Sequence, residues 1–312
     1  MIEIRNLRKF YGEFEALKGI SFSIKKGEIV GFLGPNGAGK TTCMKIVTGY
    51  MAATDGQVVI DGIDTDENPV AARAKIGYLP ENAPLYPDMN VYEYLAYVAE
   101  VRGIAGGRIE GRIAAIARTC GLTEVLHRDV GELSKGFRQR LALAQAMIHD
   151  PEILILDEPT NGLDPNQIVE IRNLIKEVGR QRTVILSSHN LPEVVQTCDR
   201  VIIVHRGALV ADGTPDELEK RGQSNPRVIV KVRKAGDDGV GRRLATVPGV
   251  KGVVPVLEPA RDVAAFELEA EPGVDVRDGV FKACVEAGWT LLELRRDVID
   301  LEALFGRLTR EA

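Results

Sequence analysis

The stretch Gly34-Pro35-Asn36-Gly37-Ala38-Gly39-Lys40-Thr41-Thr42 limits what this chain can fold into more than any other. It lies between an apolar run, Glu28 to Leu33, and a stretch of helical character, Lys40 to Thr48. Gly34, Gly37 and Gly39 allow backbone conformations closed to residues with a Cβ, so successive N–H groups can turn inward around phosphate oxygens. Lys40 adds a full positive charge, and the helix behind it points its N-terminal dipole at the same anion. Thr41 offers a hydroxyl to a magnesium ion bridging the outer phosphates. A glycine-rich turn joining strand to helix is the structural alternative, and the complete G-x-x-x-x-G-K-T pattern in a strand–loop–helix context favours the phosphate loop over it.

The rest of the chain must complete a fold around that loop, and 312 residues of ordinary globular composition suffice for two domains with real cores. A formal net charge of −5 argues against a protein that coats nucleic acid, so no nucleic-acid partner is expected. Cys43, Cys120, Cys198 and Cys284 lie far apart without a C-x-x-C pair, and the four histidines show no metal-ligand spacing. Reduced thiols in a cytoplasmic setting fit best. No signal-like apolar core opens the chain, and no stretch has the ~18 apolar residues of a membrane span, so the chain is not expected to cross a bilayer by itself.

Alternation predicts strands at 2–8 and 19–24, with Tyr11 on the link, then strands at 57–63 and 75–79 around a polar connection holding Asn68-Pro69. From Tyr92 to His149 the pattern is mainly helical, as in an inserted lobe. Ile153 to Leu156 is wholly apolar, the mark of a strand covered on both faces. A helix over 165–180 crosses to a strand over 183–187, and a hairpin turns at Arg206-Gly207. The first 220 residues therefore read as an α/β domain. A linker is expected at 221–226. Residues 227–312 form a smaller accessory domain whose order, β-α-β-β-α-β, is the ferredoxin-like split unit, closed by an amphipathic helix with Leu301, Leu304, Phe305 and Leu308 on one face.

The run I-L-I-L-D-E-P-T puts Asp157 and Glu158 at the C-terminal edge of a buried strand, where open α/β sheets bind ligands. Asp157 can hold magnesium through water and Glu158 can take a proton from an attacking water, a helix N-cap being the structural alternative.

Leu133-Ser134-Lys135-Gly136-Phe137, followed by Arg138-Gln139-Arg140, resembles the signature motif of the ATP-binding-cassette (ABC) ATPases. The resemblance covers about residues 1–220 and implies a P-loop ABC ATPase domain with a helical lobe, hydrolysing ATP with Mg²⁺. It implies that Asn36 and Thr42 join the loop glycines, Lys40 and Thr41 at the nucleotide. Ser134 and Gly136 then hold the γ-phosphate of ATP bound to a second copy, in a head-to-tail homodimer. Tyr11 resembles the aromatic that stacks on adenine, with simple packing as the alternative. Asp164 lies in Asn161-Gly162-Leu163-Asp164-Pro165, which resembles the loop coupling the two sites, and His189 looks like the histidine at the γ-phosphate. Lys135 and Phe137 replace the commoner Gly and Gln of the signature. Glu81 stands where most cassettes have a glutamine that touches magnesium and senses the membrane partner; solvating a loop is its alternative role.

The apolar stretch Asn82 to Val91 matches the region that, with the helical lobe, receives a helix of the membrane subunit, internal packing of the lobe being the alternative. The wording G-Y-L-P-E-N-x-P-L-Y and the C-terminal domain are similar to the ATPases of ABC-2-type exporters, including those associated with gliding motility. They imply an integral membrane permease as partner and a peripheral place on the inner face of the cell membrane. A non-transport ABC ATPase acting on ribosomes or nucleic acid is the competing class, disfavoured by a single cassette and by the short distance from Lys40 to Ser134. The C-terminal domain is open to three roles: dimerisation, ligand sensing or bracing.

Overall fold

Three apolar runs define the centre of the structure, a computed structural model that describes residues 2–223, 227–233, 239–256, 262–271, 273–297 and 305–306. The chain divides into two compact units, Met1–Pro215 and Asp216–Arg307.

In the first unit, β1 (Ile2–Tyr11) and β2 (Phe14–Ile24) form a hairpin, and β3 (Ile29–Leu33) runs into the glycine loop and α1 (Lys40–Val47). Next come β4 (Asp55–Ile60), β5 (Ile63–Asp64), α2 (Pro69–Ala74) and β6 (Ile76–Leu79). The helical lobe is α3 (Val91–Val101), α4 (Gly106–Cys120) and α5 (Lys135–Met147). The chain returns through β7 (Ile153–Asp157), α6 (Pro165–Gly179), β8 (Thr183–Ser188), α7 (Leu191–Thr197), β9 (Arg200–His205) and β10 (Ala208–Gly213); α8 (Pro215–Gln223) starts at the last residue of this unit and belongs to the second.

Every residue of β3, β7 and β8 is buried, which is why these runs do not alternate: both faces of the sheet are covered. The central order is β10-β9-β3-β8-β7-β6, parallel except for β10. Against it lies an antiparallel sheet of order β2-β1-β4-β5. Ile2, Leu7, Phe22 and Ile24 from that sheet share one core with Phe32, Met44, Ile155 and Ile202. Phe22 and Phe32 meet with ring centroids 5.5 Å apart.

Several boundaries differ from the sequence expectation, each for a local reason. Gly12 turns at φ 60°, so pairing continues out to Tyr11↔Phe14 and Tyr11 ends β1 instead of sitting on a link. Asp61 and Gly62 both take positive φ, a tight hairpin turn that splits 57–63 into β4 and β5. Helix starts follow their caps. Asn90 and Glu93 form a reciprocal capping box on α3, Ser134 caps α5, and Asp164 caps α6 with Pro165 in its first turn. Ile109, Ile113, Ile116 and Cys120 line the buried stripe of α4. Helix α8 extends through 221–223 of the expected linker, and 224–226 lie outside the described residues.

The second unit contains β11 (Arg227–Arg233), α9 (Val240–Ala245), β12 (Val250–Val256), β13 (Val263–Ala270), α10 (Arg277–Glu286) and β14 (Thr290–Asp297). Its antiparallel order, β12-β13-β11-β14, is that of the split βαβ unit. Val228, Val230 and Val232 pack with Leu244, Leu268 and Val280. The expected closing helix falls almost entirely outside the described residues; only Phe305 and Gly306 are described, as helical.

Candidate active site

The site forms where β3, β7 and β8 end side by side, because parallel strands deliver their C-terminal loops to the same edge. Between β3 and α1 the glycine loop is closed in from behind. A Cβ on Gly39, at φ 105°, would stand 2.8 Å from the Ala16 carbonyl oxygen, and one on Gly34 would stand 2.3 Å from that of Val204. Gly37, at φ 80°, has nothing within 4 Å of a Cβ position, which leaves open space in front of the loop. The Gly207 N–H donates to the Ala38 carbonyl (2.9 Å), and the Gly207 carbonyl accepts from the Lys18 N–H (2.8 Å). The β9–β10 turn thus pins the loop to β2.

Lys40 is buried and donates to the carbonyls of Gly34 (2.7 Å) and Pro35 (3.3 Å). Its Nζ also lies 3.2 Å from Oε1 of Glu158, a pair whose side chains are only 6% and 7% exposed. On the other side Glu158 Oε2 is 3.0 Å from Nδ1 of His189. The Glu158 backbone takes φ 49°, a conformation costly for a side-chain-bearing residue, and its N–H donates to Ser187 Oγ at 2.9 Å. The Glu158 side chain and backbone are therefore fixed from three directions.

Asp157 is fully buried. Ser187, opposite it in the parallel register, donates through Oγ to Oδ1 at 2.5 Å, and Thr41 Oγ1 donates to the same oxygen at 3.3 Å. Burial lifts the Asp157 carboxyl above the usual aspartate range. The Ser187 and Thr41 hydrogen bonds oppose that rise, and the negative charges of Glu81 and Glu158 add to it. Its Oδ2 is buried without a partner. An orphaned carboxylate oxygen next to a threonine hydroxyl fits a hard divalent cation. Among the described residues no three His, Cys, Asp or Glu side chains form a protein-only metal cage. Mg²⁺ held by Thr41 and Asp157 would also take ligands from phosphate and water, as this ion commonly does.

A cleft of about 600 Å³ collects Tyr11, Asn36, Gly37, Gly39, Lys40, Thr41, Thr42, Glu81, Glu158 and His189. Tyr11, 47% exposed, lies at its outer wall with its hydroxyl 3.3 Å from Met51 Sδ. Glu81 is exposed and accepts from Asn161 Nδ2 at 3.2 Å, which ties the loop after β6 to the loop after β7. Ser134, Gly136 and Asp164 do not line this cleft. Ser134 is exposed and accepts from the Phe137 N–H, while Asp164 accepts from the Gln167 N–H.

Three contributors escape a reading of the motifs. Phe14 faces the same cleft, and the two-residue turn that pairs it with Tyr11 is the signal for it. Asn161 was legible only as part of a coupling loop. Ser187 braces both acids, and its signal is a hydroxyl ending an apolar strand next to I-L-I-L-D-E. The thiol of Cys43 plays no part: burial, with Asp157 adding, pushes it up to about 12.

The family profile described as "ABC transporter" matches residues 17–161. The chain is 38% identical over 226 residues to "Probable multidrug ABC transporter ATP-binding protein YbhF" of Escherichia coli (strain K12), covering 72% of this chain and 39% of that protein. It thus spans about two fifths of that relative's length. It is 32% identical to "Uncharacterized ABC transporter ATP-binding protein YxlF" of Bacillus subtilis (strain 168), over 98% of both chains. The structure is similar, with a TM-score of 0.63 and 28% identity, to "Dimeric structure of a post-hydrolysis state of the ATP-binding cassette MJ0796 bound to ADP and Pi", covering 69% of this chain and 98% of that one.

Proposed function

The chain belongs to the ATP-binding subunits of ABC transporters and is an ATPase, and on that footing we propose that two copies close head to tail on two MgATP to drive a separate ABC-2-type export permease. The observation that carries the reading is the split of the site. Lys40, Glu158 and His189 meet in one cleft, whereas Ser134 and Gly136 start α5 elsewhere with the Ser134 side chain exposed. A helix N-terminus is a phosphate site, and this one does not line the Lys40 cleft of its own chain.

Within each half, Tyr11 stacks on the base, the N–H groups from Gly37 to Thr42 hold the phosphates, and Lys40 neutralises charge on the transferred phosphoryl group. Asp157, Thr41 and Glu81 would hold Mg²⁺, which would supply screening of the phosphate charge. Glu158 accepts the proton of the attacking water and His189 keeps its carboxylate aimed. Asp164 begins the helix behind the coupling loop. Residues 1–220 are the cassette, and 227–312 an accessory domain.

The permease docks on the exposed side of the 82–91 loop. Tyr86 there is 50% exposed and packs against Tyr94 and Tyr97 of α3, at 6.0 and 5.8 Å between ring centroids. With the permease docked there, the chain lies on the inner face of the membrane, which none of the described helices is long and apolar enough to cross. The test is the Glu158→Gln chain, with turnover expected to fall by a factor of order 10²–10⁴ and ATP binding retained. Tagged and solubilised gently from native membranes with MgATP, it should bring down a stoichiometric multi-span protein that is lost when Leu85 and Met89 are made polar. Unchanged hydrolysis defeats the catalytic assignment, and recovery with ribosomes or nucleic acid alone defeats the transport assignment.

A further inference from the structure

A second cleft, of about 540 Å³, opens in the helical lobe between the end of α3, the first half of α4 and the turn after α5. Arg102, Arg108, Arg112 and His149 give it a polar wall, and Ile104 an apolar patch. The three guanidinium groups are not equivalent. Arg112 serves the fold: it donates to the carbonyls of Ile148 (2.6 Å) and Met147 (2.7 Å), closing the end of α5, and pairs with Asp150 at 3.1 Å. Asp150 is the one carboxylate lining the cleft, and Arg182 holds it too, at 2.6 Å.

That leaves Arg102 and Arg108, whose side chains have no hydrogen bond or ion pair among the described residues. Burial lowers Arg102 from the usual guanidinium value, and no carboxylate opposes the shift. Both side chains are exposed, so an anion can reach the two guanidinium groups from solvent. His149 narrows the chemistry further. One ring nitrogen, Nε2, is 3.0 Å from the Ile76 carbonyl oxygen, which can only accept, so Nε2 carries the proton. Nδ1 is then a bare acceptor, buried and without a partner, suited to a ligand hydroxyl.

We propose that this cleft binds a phosphate-bearing polyol headgroup, its phosphate forked by Arg102 and Arg108, its hydroxyl on His149 Nδ1 and its carbons against Ile104. Guanidinium forks match phosphate oxygens in pairs. The same chemistry is offered by an anionic glycerophospholipid and by free glycerol phosphate. The lipid surface as source rests on the membrane position given under Proposed function; the anion site does not.

The test uses the full chain with saturating MgADP, so that the phosphate loop is already filled. Cosedimentation is measured with vesicles of phosphatidylglycerol and phosphatidylcholine in equal parts, and with phosphatidylcholine alone. The Arg102→Gln/Arg108→Gln chain should bind the anionic vesicles on the order of tenfold more weakly than the unmodified chain, with no difference on the neutral ones. Arg118→Gln, also on α4 but outside the cleft, should bind as the unmodified chain does. Glycerol phosphate should displace the anionic vesicles. If instead it binds in an arginine-dependent way while the vesicles do not, the site stands and its source is the free ester. Equal binding by the double variant, or an equal loss in Arg118→Gln, overturns the site. Hydrolysis by the double variant should match the unmodified chain, so a failure of the anion site is distinguishable from a failure of the ATPase assignment.

Discussion

Replacing Ser187 by alanine removes one buried hydroxyl that serves both acids of the site. Its Oγ donates to Asp157 Oδ1 at 2.5 Å and accepts from the Glu158 N–H at 2.9 Å, with Ser187 and Asp157 fully buried and Glu158 nearly so. In the variant, Asp157 keeps only the longer bond from Thr41, and the Glu158 N–H has no partner at a backbone position already strained at φ 49°. A buried hydrogen bond to a charged group contributes about 1.5–3 kcal/mol and a stranded N–H costs about 1–3 kcal/mol. Because one hydroxyl serves both, the two do not simply add, and we expect a loss of about 3 kcal/mol. With a urea slope of about 1–3 kcal/mol per molar, the unfolding midpoint should fall by about 1–3 M, followed by far-UV circular dichroism.

The loss should also depend on pH. Asp157 titrates above the ordinary aspartate range because it is buried, and the Ser187 bond is the largest opposing effect, so the variant carboxyl rises further. A carboxyl raised in the folded state binds more protons folded than unfolded, so stability falls as pH climbs from the usual value through the raised one. The Ser187→Ala deficit should therefore be smallest in acid and level off above that window. Steady-state ATP hydrolysis should drop alongside, as Glu158 loses its backbone anchor. A midpoint unchanged at neutral pH, with hydrolysis intact, would refute the reasoning.

The β9–β10 turn gives a second perturbation: Gly207 sits at φ 80°, and an added Cβ would stand 2.6 Å from the Ala16 carbonyl oxygen. Gly207→Ala should cost about 2 kcal/mol and, by loosening the Ala38 anchor, raise KM for ATP more than it lowers kcat; an unaltered KM would remove the turn from the site. Burial first, then the charge of Arg102, lowers His149 from 6.5 to about 4. The unfolded chain takes that proton sooner, so stability is lost as pH falls from about 6.5 to about 4; allowing for partial exposure, the loss is about 1–2 kcal/mol. His149→Gln should flatten that part of the pH–stability curve, and an unchanged slope would assign it to other groups.

Most of the central sheet was legible because its strands are buried on both faces, so I-V-G-F-L, I-L-I-L-D and T-V-I-L-S-S stand out as unbroken apolar runs. The chemistry of Lys40, Thr41, Asp157 and Glu158 was legible because phosphate and magnesium demand those groups at strand ends. The bracing was less legible. Ser187 reaches Asp157 only through the parallel register of β7 and β8, which no local pattern reports. Tyr11 was placed on a link because the Gly12-Glu13 turn was not recognised as continuing the hairpin, and Phe14 was missed with it. Helix α7, seven residues capped by Asn190, is too short for its periodicity to register. The distance between the Ser134 end of α5 and the Lys40 cleft is a property of the fold, and no spacing along the chain expresses it.

Sedimentation of the Glu158→Gln chain, with and without MgATP, tests the central claim most directly. If ATP is shared between the Lys40 cleft of one copy and the Ser134 helix end of another, MgATP should drive the 34.0 kDa chain into a particle of twice that mass. A Ser134→Arg substitution added to it should abolish the nucleotide-dependent step while leaving ATP bound. An association state indifferent to both ATP and Ser134, at saturating nucleotide, would contradict the shared site.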